Sequence, residues 1–314
     1  MISVGFVGST GVGEVARHVL ARGQCQVKVW HPGESSDEDV LPGQRVELAE
    51  LAEATLIVFS APAASCRFTA RKLGDVLTGR HVIVHTLRDL EPGTLKCVST
   101  ILEEETPTRR IGYLGGPMLG VDVEAGRPAS AVCASLFPEV HDLVEDAMMS
   151  ENFRVYRSQD LIGAQVCGAY SRVIALLSGL ADALQLGSSL QATLFARGLA
   201  EMSRFVVFRQ GFERTAFGLA GAGALYADTH LTGSVDFQIG RHLGKEPGSD
   251  VKGLVKRYGP QAKELLELLA ALASSAEHAD LELHLLEGAA ALAHGELQPQ
   301  EIVQRLMTLS SLYE

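Results

Sequence analysis

Apolar residues recur along this chain in two rhythms, and the switch between them divides it. In the first half, short runs rich in β-branched and other apolar residues cover residues 2–7, 26–30, 55–60, 81–85, 110–114 and 129–134, with helix-period stretches such as 15–22 between them. Such alternation predicts a parallel sheet with helices on its faces. From about residue 158 the short runs stop. Long stretches with a 3.6-residue apolar period follow at 159–186, 189–210, 262–276, 279–294 and 298–309, and these predict helices. The pattern therefore predicts an α/β domain over residues 1–156 and an all-α domain over residues 157–314. A length of 314 residues suits two such cores.

Three stretches break the rhythm. Residues 211–248 carry eight glycines, Gly211, Gly218, Gly221, Gly223, Gly233, Gly240, Gly244 and Gly248, and are expected to form a long loop lining a site. The acidic run Glu34, Asp37, Glu38, Asp39 reads as a solvated loop before a short helix at 49–54. The leucines Leu265, Leu266, Leu268, Leu269 and Leu272 mark a core face or, alternatively, a partner surface.

Composition removes several function classes. A net charge of -11 is unfavourable for holding a polyanion, so nucleic acid is excluded as a partner. Cys25, Cys66, Cys97, Cys133 and Cys167 are scattered without a CxxC pair, which predicts reduced core thiols in a cytoplasm, no disulfide framework and no metal site. No basic segment precedes the first apolar run, and no stretch reads as a membrane span.

The first apolar run ends in Gly8-Ser9-Thr10-Gly11-Val12-Gly13, where a dinucleotide-binding turn belongs. Gly8 takes the tight-turn position and Gly13 the helix-packing position. The middle position, where backbone approaches pyrophosphate, is Thr10, whose methyl crowds it; Gly11 lies one residue late. The second run ends in His31-Pro32-Gly33, with no carboxylate for a ribose and no arginine for a 2′-phosphate. Weakened binding of NAD or NADP on the helix N-terminus, or a turn that only preserves the fold, are the two readings.

Ordered segments over almost the whole chain resemble the NAD(P)-dependent glycerol-3-phosphate dehydrogenases of bacterial type. They are Phe59-Ser60-Ala61-Pro62, Glu91-Pro92-Gly93-Thr94-Leu95-Lys96, Gly116-Pro117, Ala125-Gly126-Arg127-Pro128, Phe153-Arg154-Val155-Tyr156, Arg197-Gly198-Leu199-Ala200-Glu201-Met202, Gly218-Leu219-Ala220-Gly221 and Glu301-Ile302-Val303 with Leu306-Met307. The resemblance implies a Rossmann-type domain over residues 1–156 and an all-α domain over residues 157–314, a two-domain architecture like that of 6-phosphogluconate dehydrogenases. It also implies a cofactor turn completed by Pro62, an active site between the domains, and hydride transfer between a nicotinamide and carbon 2 of glycerol 3-phosphate or dihydroxyacetone phosphate. Members are commonly dimers, so a homodimer or protein partner is expected, with a small phosphorylated or nucleotide ligand.

Carried over position by position, the resemblance finds its chemistry replaced. Ser171 stands at the catalytic lysine and Arg172 at the asparagine after it. Ala224 stands at the orienting aspartate, and Val235 and Asp236 stand at the arginine and asparagine that hold phosphate and cofactor. Arg88, followed by Asp89, stands at the second lysine and alone keeps its charge. A general acid or base is worth roughly 10² to 10⁴ in rate and a stabilising donor roughly 10² to 10³, so losing lysine and aspartate together removes about four orders of magnitude. The expected outcome is a non-catalytic homologue with a binding, regulatory or assembly role. Two alternatives stay open: residual activity, with Arg172 substituting, or a reductase of another carbonyl or imine. In the latter, as in the similar imine reductases, which lack the lysine, Tyr170 would donate a proton with His85 as auxiliary.

Overall fold

The computed structural model describes residues 2–8, 12–23, 25–32, 43–230, 234–246 and 248–308. Among the described residues eight strands form one sheet: β1 (Ile2–Gly8), β2 (Cys25–Trp30), β3 (Gln44–Arg45), β4 (Leu56–Ser60), β5 (Val82–His85), β6 (Ile111–Gly115), β7 (Ala129–Ser135) and β8 (Phe153–Ser158). Their order is β3-β2-β1-β4-β5-β6-β7-β8. The helices between them are α1 (Val12–Ala21), α2 (Cys66–Gly74), α3 (Val98–Glu105), α4 (Gly120–Glu124) and α5 (Pro138–Met148). Residues 49–54, expected as a helix, form a 3-10 turn at Leu48–Glu53.

Successive side chains of a strand point to opposite faces, and here both faces are covered. Val4, Phe6, Leu56, Val58, Val82 and Val84 pack with Val15 and Val19 of α1 and with Val140 and Val144 of α5. Val7, Ile57, Phe59 and Ile83 pack with Ala70 and Leu73 of α2 and Ile101 and Leu102 of α3. Burial on both sides is why these strands read as unbroken apolar runs.

The expectation of a parallel sheet needs one correction: β6 and β7 pair antiparallel, with Tyr113 opposite Ala134. A second concerns β8, which the apolar pattern did not show. Its Phe153 and Val155 are buried while Arg154 and Tyr156 are exposed, and half of such an edge strand is polar.

The remaining helices are α6 (Leu161–Ala183), α7 (Gly187–Phe208), α8 (Glu213–Ala216), α9 (Ala224–His230), α10 (Val235–Lys245), α11 (Val251–Tyr258), α12 (Pro260–His278), α13 (His284–Ala293) and α14 (Pro299–Thr308). The described residues of 211–248 are therefore largely helical, with a π-turn at Leu219–Gly223, where a loop was expected; Gly233 lies outside the described residues. Close packing accounts for several of these glycines. A Cβ on Gly240 would lie 1.8 Å from the Leu176 carbonyl oxygen, and one on Gly179 would lie 2.0 Å from that of Phe237, so α6 and α10 cross with their backbones nearly touching. Leu265, Leu266, Leu268, Leu269 and Leu272 are all buried and form a core face, which removes them as a partner surface.

The chain folds as two compact units, residues 1–168 with 206–224, and residues 169–205 with 225–314. The change from strands to helices falls after β8, whereas the division between units falls inside α6 and α7. Helix α6 is long and apolar enough to cross a bilayer, which corrects the reading that no stretch qualifies; almost all of it is buried inside the protein. Four of the five cysteines are buried and Cys25 is half-buried, all as free thiols.

Candidate functional site

Ser171 and Arg172 follow Tyr170 on α6, and consecutive helical residues point about 100° apart. Each of the three side chains reaches a different carboxylate within the helical unit. The Ser171 hydroxyl, fully buried, donates to Asp228 Oδ2 of α9 at 2.7 Å. The Arg172 guanidinium donates through Nε and Nη2 to the two oxygens of Asp236, both at 3.0 Å, and both side chains are buried. This is a bidentate fork-to-carboxylate pair. Asp236 lies in the first turn of α10, where Ser234 caps the helix by accepting from the Phe237 amide, and the helix dipole favours an anion there.

Tyr170 points elsewhere. Its hydroxyl donates to Glu201 Oε2 of α7 at 2.8 Å, and its ring packs on Phe205. Glu201 also accepts the amides of Leu285 and Leu286, which open α13. Burial, and then the Glu201 charge, hold the phenol well above its usual range. Burial likewise raises the Glu201 carboxyl, against the pull of the two amides and the phenol. The arrangement ties three helices together through fully buried side chains.

Ala224 opens α9 and is buried without polar atoms in its side chain. Asp228, four residues on, lies one turn further along the same face of that helix. Sequence reasoning counted the orienting carboxylate as lost, whereas a carboxylate stands one turn away and engages Ser171. The signal was present as an aspartate at i+4. Val235 is half-buried and offers no charge at the position matched to the phosphate-holding arginine.

In the sheet unit, Gly8 has φ +97° and pairs with Ser60 across β1 and β4; a Cβ on it would lie 2.3 Å from the Ser60 carbonyl oxygen. Only glycine fits this turn. Pro62 follows β4 and precedes a 3-10 turn, so it sits two residues beyond the strand end that faces Gly8. Ser9, Thr10 and Gly11 lie outside the described residues, as does the acidic run at 34–39. Val12 and Gly13 form the first turn of α1. Strand β2 ends at Trp30, and the described residues after it, His31 and Pro32, carry no carboxylate. Gly8 and the start of α1 stand where a dinucleotide phosphate belongs, and His31 and Pro32 supply no ribose acceptor.

His85 ends β5 and is fully buried, 5.1 Å from the Tyr113 ring, and among the described residues neither ring nitrogen has a hydrogen-bond partner of good geometry. Burial pulls its pKa down to about 3, opposed by the nearby Gln165 side chain. Half-buried Arg88 lies three residues on. A Cβ on Gly168 would stand 3.4 Å from Arg88 Cγ and 2.5 Å from the Tyr113 hydroxyl, so Arg88 and Tyr113 close on the same glycine. No group of three or more His, Cys, Asp or Glu able to hold a metal occurs among the described residues.

Comparison with known proteins adds to this geometry. Residues 32–140 match the family profile described as NAD-dependent glycerol-3-phosphate dehydrogenase N-terminus, and residues 160–304 match that for the C-terminus. The NAD(P)+ glycerol-3-phosphate dehydrogenase of Sinorhizobium fredii (strain NBRC 101917 / NGR234) is 33% identical over 265 residues, 83% of this chain and 77% of that protein. That of Agrobacterium fabrum (strain C58 / ATCC 33970) is 30% identical over 276 residues, 88% of this chain and 79% of that one. Among solved structures, glycerol-3-phosphate dehydrogenase from Coxiella burnetii superposes with a TM-score of 0.88 at 25% identity, covering 98% of this chain and 99% of that one. The Plasmodium falciparum enzyme, at 15% identity and a TM-score of 0.84, shares the fold.

Proposed function

The chain belongs to the NAD-dependent glycerol-3-phosphate dehydrogenase family, and from that premise we propose that it is a member that has given up the family's reaction and uses the scaffold for binding or assembly. The observation that carries this reading is the buried Arg172–Asp236 pair. A guanidinium held by both oxygens of an internal carboxylate does not serve as a phosphate anchor, and Val235 beside it adds no cation. Ser171 cannot take a proton as an amine would, and its hydroxyl is committed to Asp228.

A nicotinamide dinucleotide, when bound, supplies the hydride in this family. Here Gly8 and the start of α1 would hold its phosphates, while among the described residues His31 and Pro32 after β2 offer no carboxylate for its ribose, and this supports weakened binding. Tyr170 and His85, the proton donor and auxiliary a reductase of altered substrate would need, are enclosed in packing. Burial raises the Tyr170 phenol and lowers the His85 imidazole, which disfavours that second reading.

Calorimetric titration with NADH and NADPH, followed by NADH consumption with dihydroxyacetone phosphate, tests the proposal. The expected kcat/KM lies at least about 10⁴-fold below that of the Sinorhizobium fredii relative. Turnover within tenfold of that relative would overturn the reading.

A further inference from the structure

Helix α11 is held to the rest of the helical unit by little apolar surface. Only Leu254 in it is fully buried, Val255 and Tyr258 are half-buried, and Val251, Lys252, Gly253, Lys256 and Arg257 face outward. A glycine in the left-handed region stands near each end. Gly248 has φ +85° and Gly259 has φ +73°, and a Cβ on either would meet nothing within 4 Å. These glycines serve backbone conformation, not close packing, and they bracket the helix as swivel points.

A chain of polar contacts fastens α11 to α10. Arg257 Nη1 lies 3.2 Å from Nδ1 of His242, which is buried on α10. A guanidinium only donates, so Nδ1 is the unprotonated nitrogen and Nε2 carries the proton. Nε2 lies 3.0 Å from the Ser249 hydroxyl, whose own hydrogen goes to the Glu246 carbonyl oxygen at 2.8 Å. Each donor in this chain has its acceptor only while His242 is neutral. Serine, histidine and glutamate are also the members of a nucleophilic triad, but there Nε2 must accept the serine proton. Arg257 fixes the opposite tautomer here.

Protonation reverses the arrangement at one atom. A proton on Nδ1 faces the Arg257 guanidinium, donor against donor and cation against cation. The other groups about His242 do not cancel this. Glu246 Oε1, on the same helix, is 3.8 Å from Nδ1 and 3.6 Å from Arg257 Nη1, but its side chain is 62% exposed and its attraction is screened. Tyr258 of α11 stands edge to face with the imidazole, 5.8 Å between centroids, and its hydroxyl donates to the Gln238 carbonyl oxygen. Lys245 is exposed, and Asp250 caps α11 at the Gly253 amide. The face that α12 buries is leucine and alanine, and Asp182 of α6 pairs with Arg241. We propose that His242 is a pH-operated latch: neutral, it fastens α11 to α10 through Arg257, and protonated, it lets α11 go.

The full chain labelled with 15N-histidine reports the latch directly. At pH 8 the ring 15N shifts of His242 should be those of the Nε2–H tautomer. Hydrogen–deuterium exchange, corrected for intrinsic rate, should be about fivefold faster or more in residues 251–258 at a pH where the same spectra show His242 protonated, the scale of one hydrogen bond. The amides of α13 should keep their protection, which separates local release from acid unfolding. His242→Gln, which takes up no proton, should abolish the response, and Arg257→Met, at a side chain 58% exposed, should bring the fast exchange to pH 8. The proposal is overturned by the Nδ1–H tautomer at pH 8, or by a His242 that stays neutral until the chain unfolds. Exchange in residues 251–258 that ignores its protonation, an acceleration shared equally by α13, or the same response in His242→Gln overturns it as well.

Discussion

At the scale of the residue, the Arg172–Asp236 pair makes a prediction that separates a compensated replacement from two unrelated ones. Two buried ions in bidentate contact stabilise little relative to a neutral pair of similar shape, but removing one partner strands the other in a low dielectric. Arg172→Asn and Asp236→Asn, made singly, should each lower the unfolding free energy by about 3 to 5 kcal/mol, while the double variant should recover most of that. Urea denaturation of the four proteins measures the coupling; additive losses in the double variant would show that the two side chains are energetically independent. His85 makes a second. Burial pulls its pKa down to about 3 in the folded protein, from an ordinary value of 6.5, so between those values the unfolded chain binds a proton that the folded one refuses. The stability from a neutral, buried His85 is thus complete above pH 6.5 and is lost as pH falls toward 3, by about 1.4 kcal/mol per pH unit within that window. His85→Phe should flatten the decline in the urea midpoint between pH 6.5 and pH 4.5. An unchanged slope would mean that other groups set the acid sensitivity.

At the scale of the element, the helices were legible where one periodicity ran on and illegible where glycine intervened. Gly240 and Gly244 look like helix breakers in a one-dimensional reading, yet both lie within α10. Gly240 is there because α10 lies backbone to backbone against α6, and no local property of the sequence reports a neighbour as distant in the chain as Leu176. The antiparallel seam between β6 and β7 escaped for a related reason, since apolar runs carry no sign of direction. Strand β8 escaped because only its inner face is apolar. The site was half legible. The replacements at Ser171, Arg172 and Asp236 were visible as residue types, but that Arg172 and Asp236 embrace each other, and that Asp228 answers Ser171, required the crossing of α6 with α9 and α10. That crossing is testable through its glycine. Gly240→Ala puts a methyl carbon 1.8 Å from the Leu176 carbonyl oxygen and should cost about 2 kcal/mol or more despite alanine's better helix propensity. A stabilised Gly240→Ala variant in thermal unfolding would refute the close approach.

At the scale of the whole molecule, family membership and a rewritten site are reconciled if the changes form a set that can be undone only together. Reverting Ser171→Lys alone places an ammonium beside Asp228, which already stands within 2.7 Å of the hydroxyl it replaces, so the orienting carboxylate is available without restoring Ala224→Asp. Phosphate affinity is a separate deficit. Val235→Arg alone adds a cation next to a guanidinium that Asp236 still occupies, and Asp236→Asn alone strands Arg172. The combination Arg172→Asn, Val235→Arg and Asp236→Asn restores the family's pattern without an unpaired buried charge, and should raise affinity for glycerol 3-phosphate about tenfold or more, the scale of one charged hydrogen bond to phosphate. Adding Ser171→Lys to that triple variant should then raise dihydroxyacetone phosphate-dependent NADH consumption by about 10² or more, whereas Ser171→Lys in the otherwise unchanged chain should leave it near background. The order matters because the lysine acts only on a substrate that the phosphate-holding residues have placed. Should the quadruple variant bind glycerol 3-phosphate and NADH yet turn nothing over, the proton-transfer assignment to Ser171 is wrong. Should it fail to bind the phosphate at all, the assignment of Val235 and Asp236 is wrong instead.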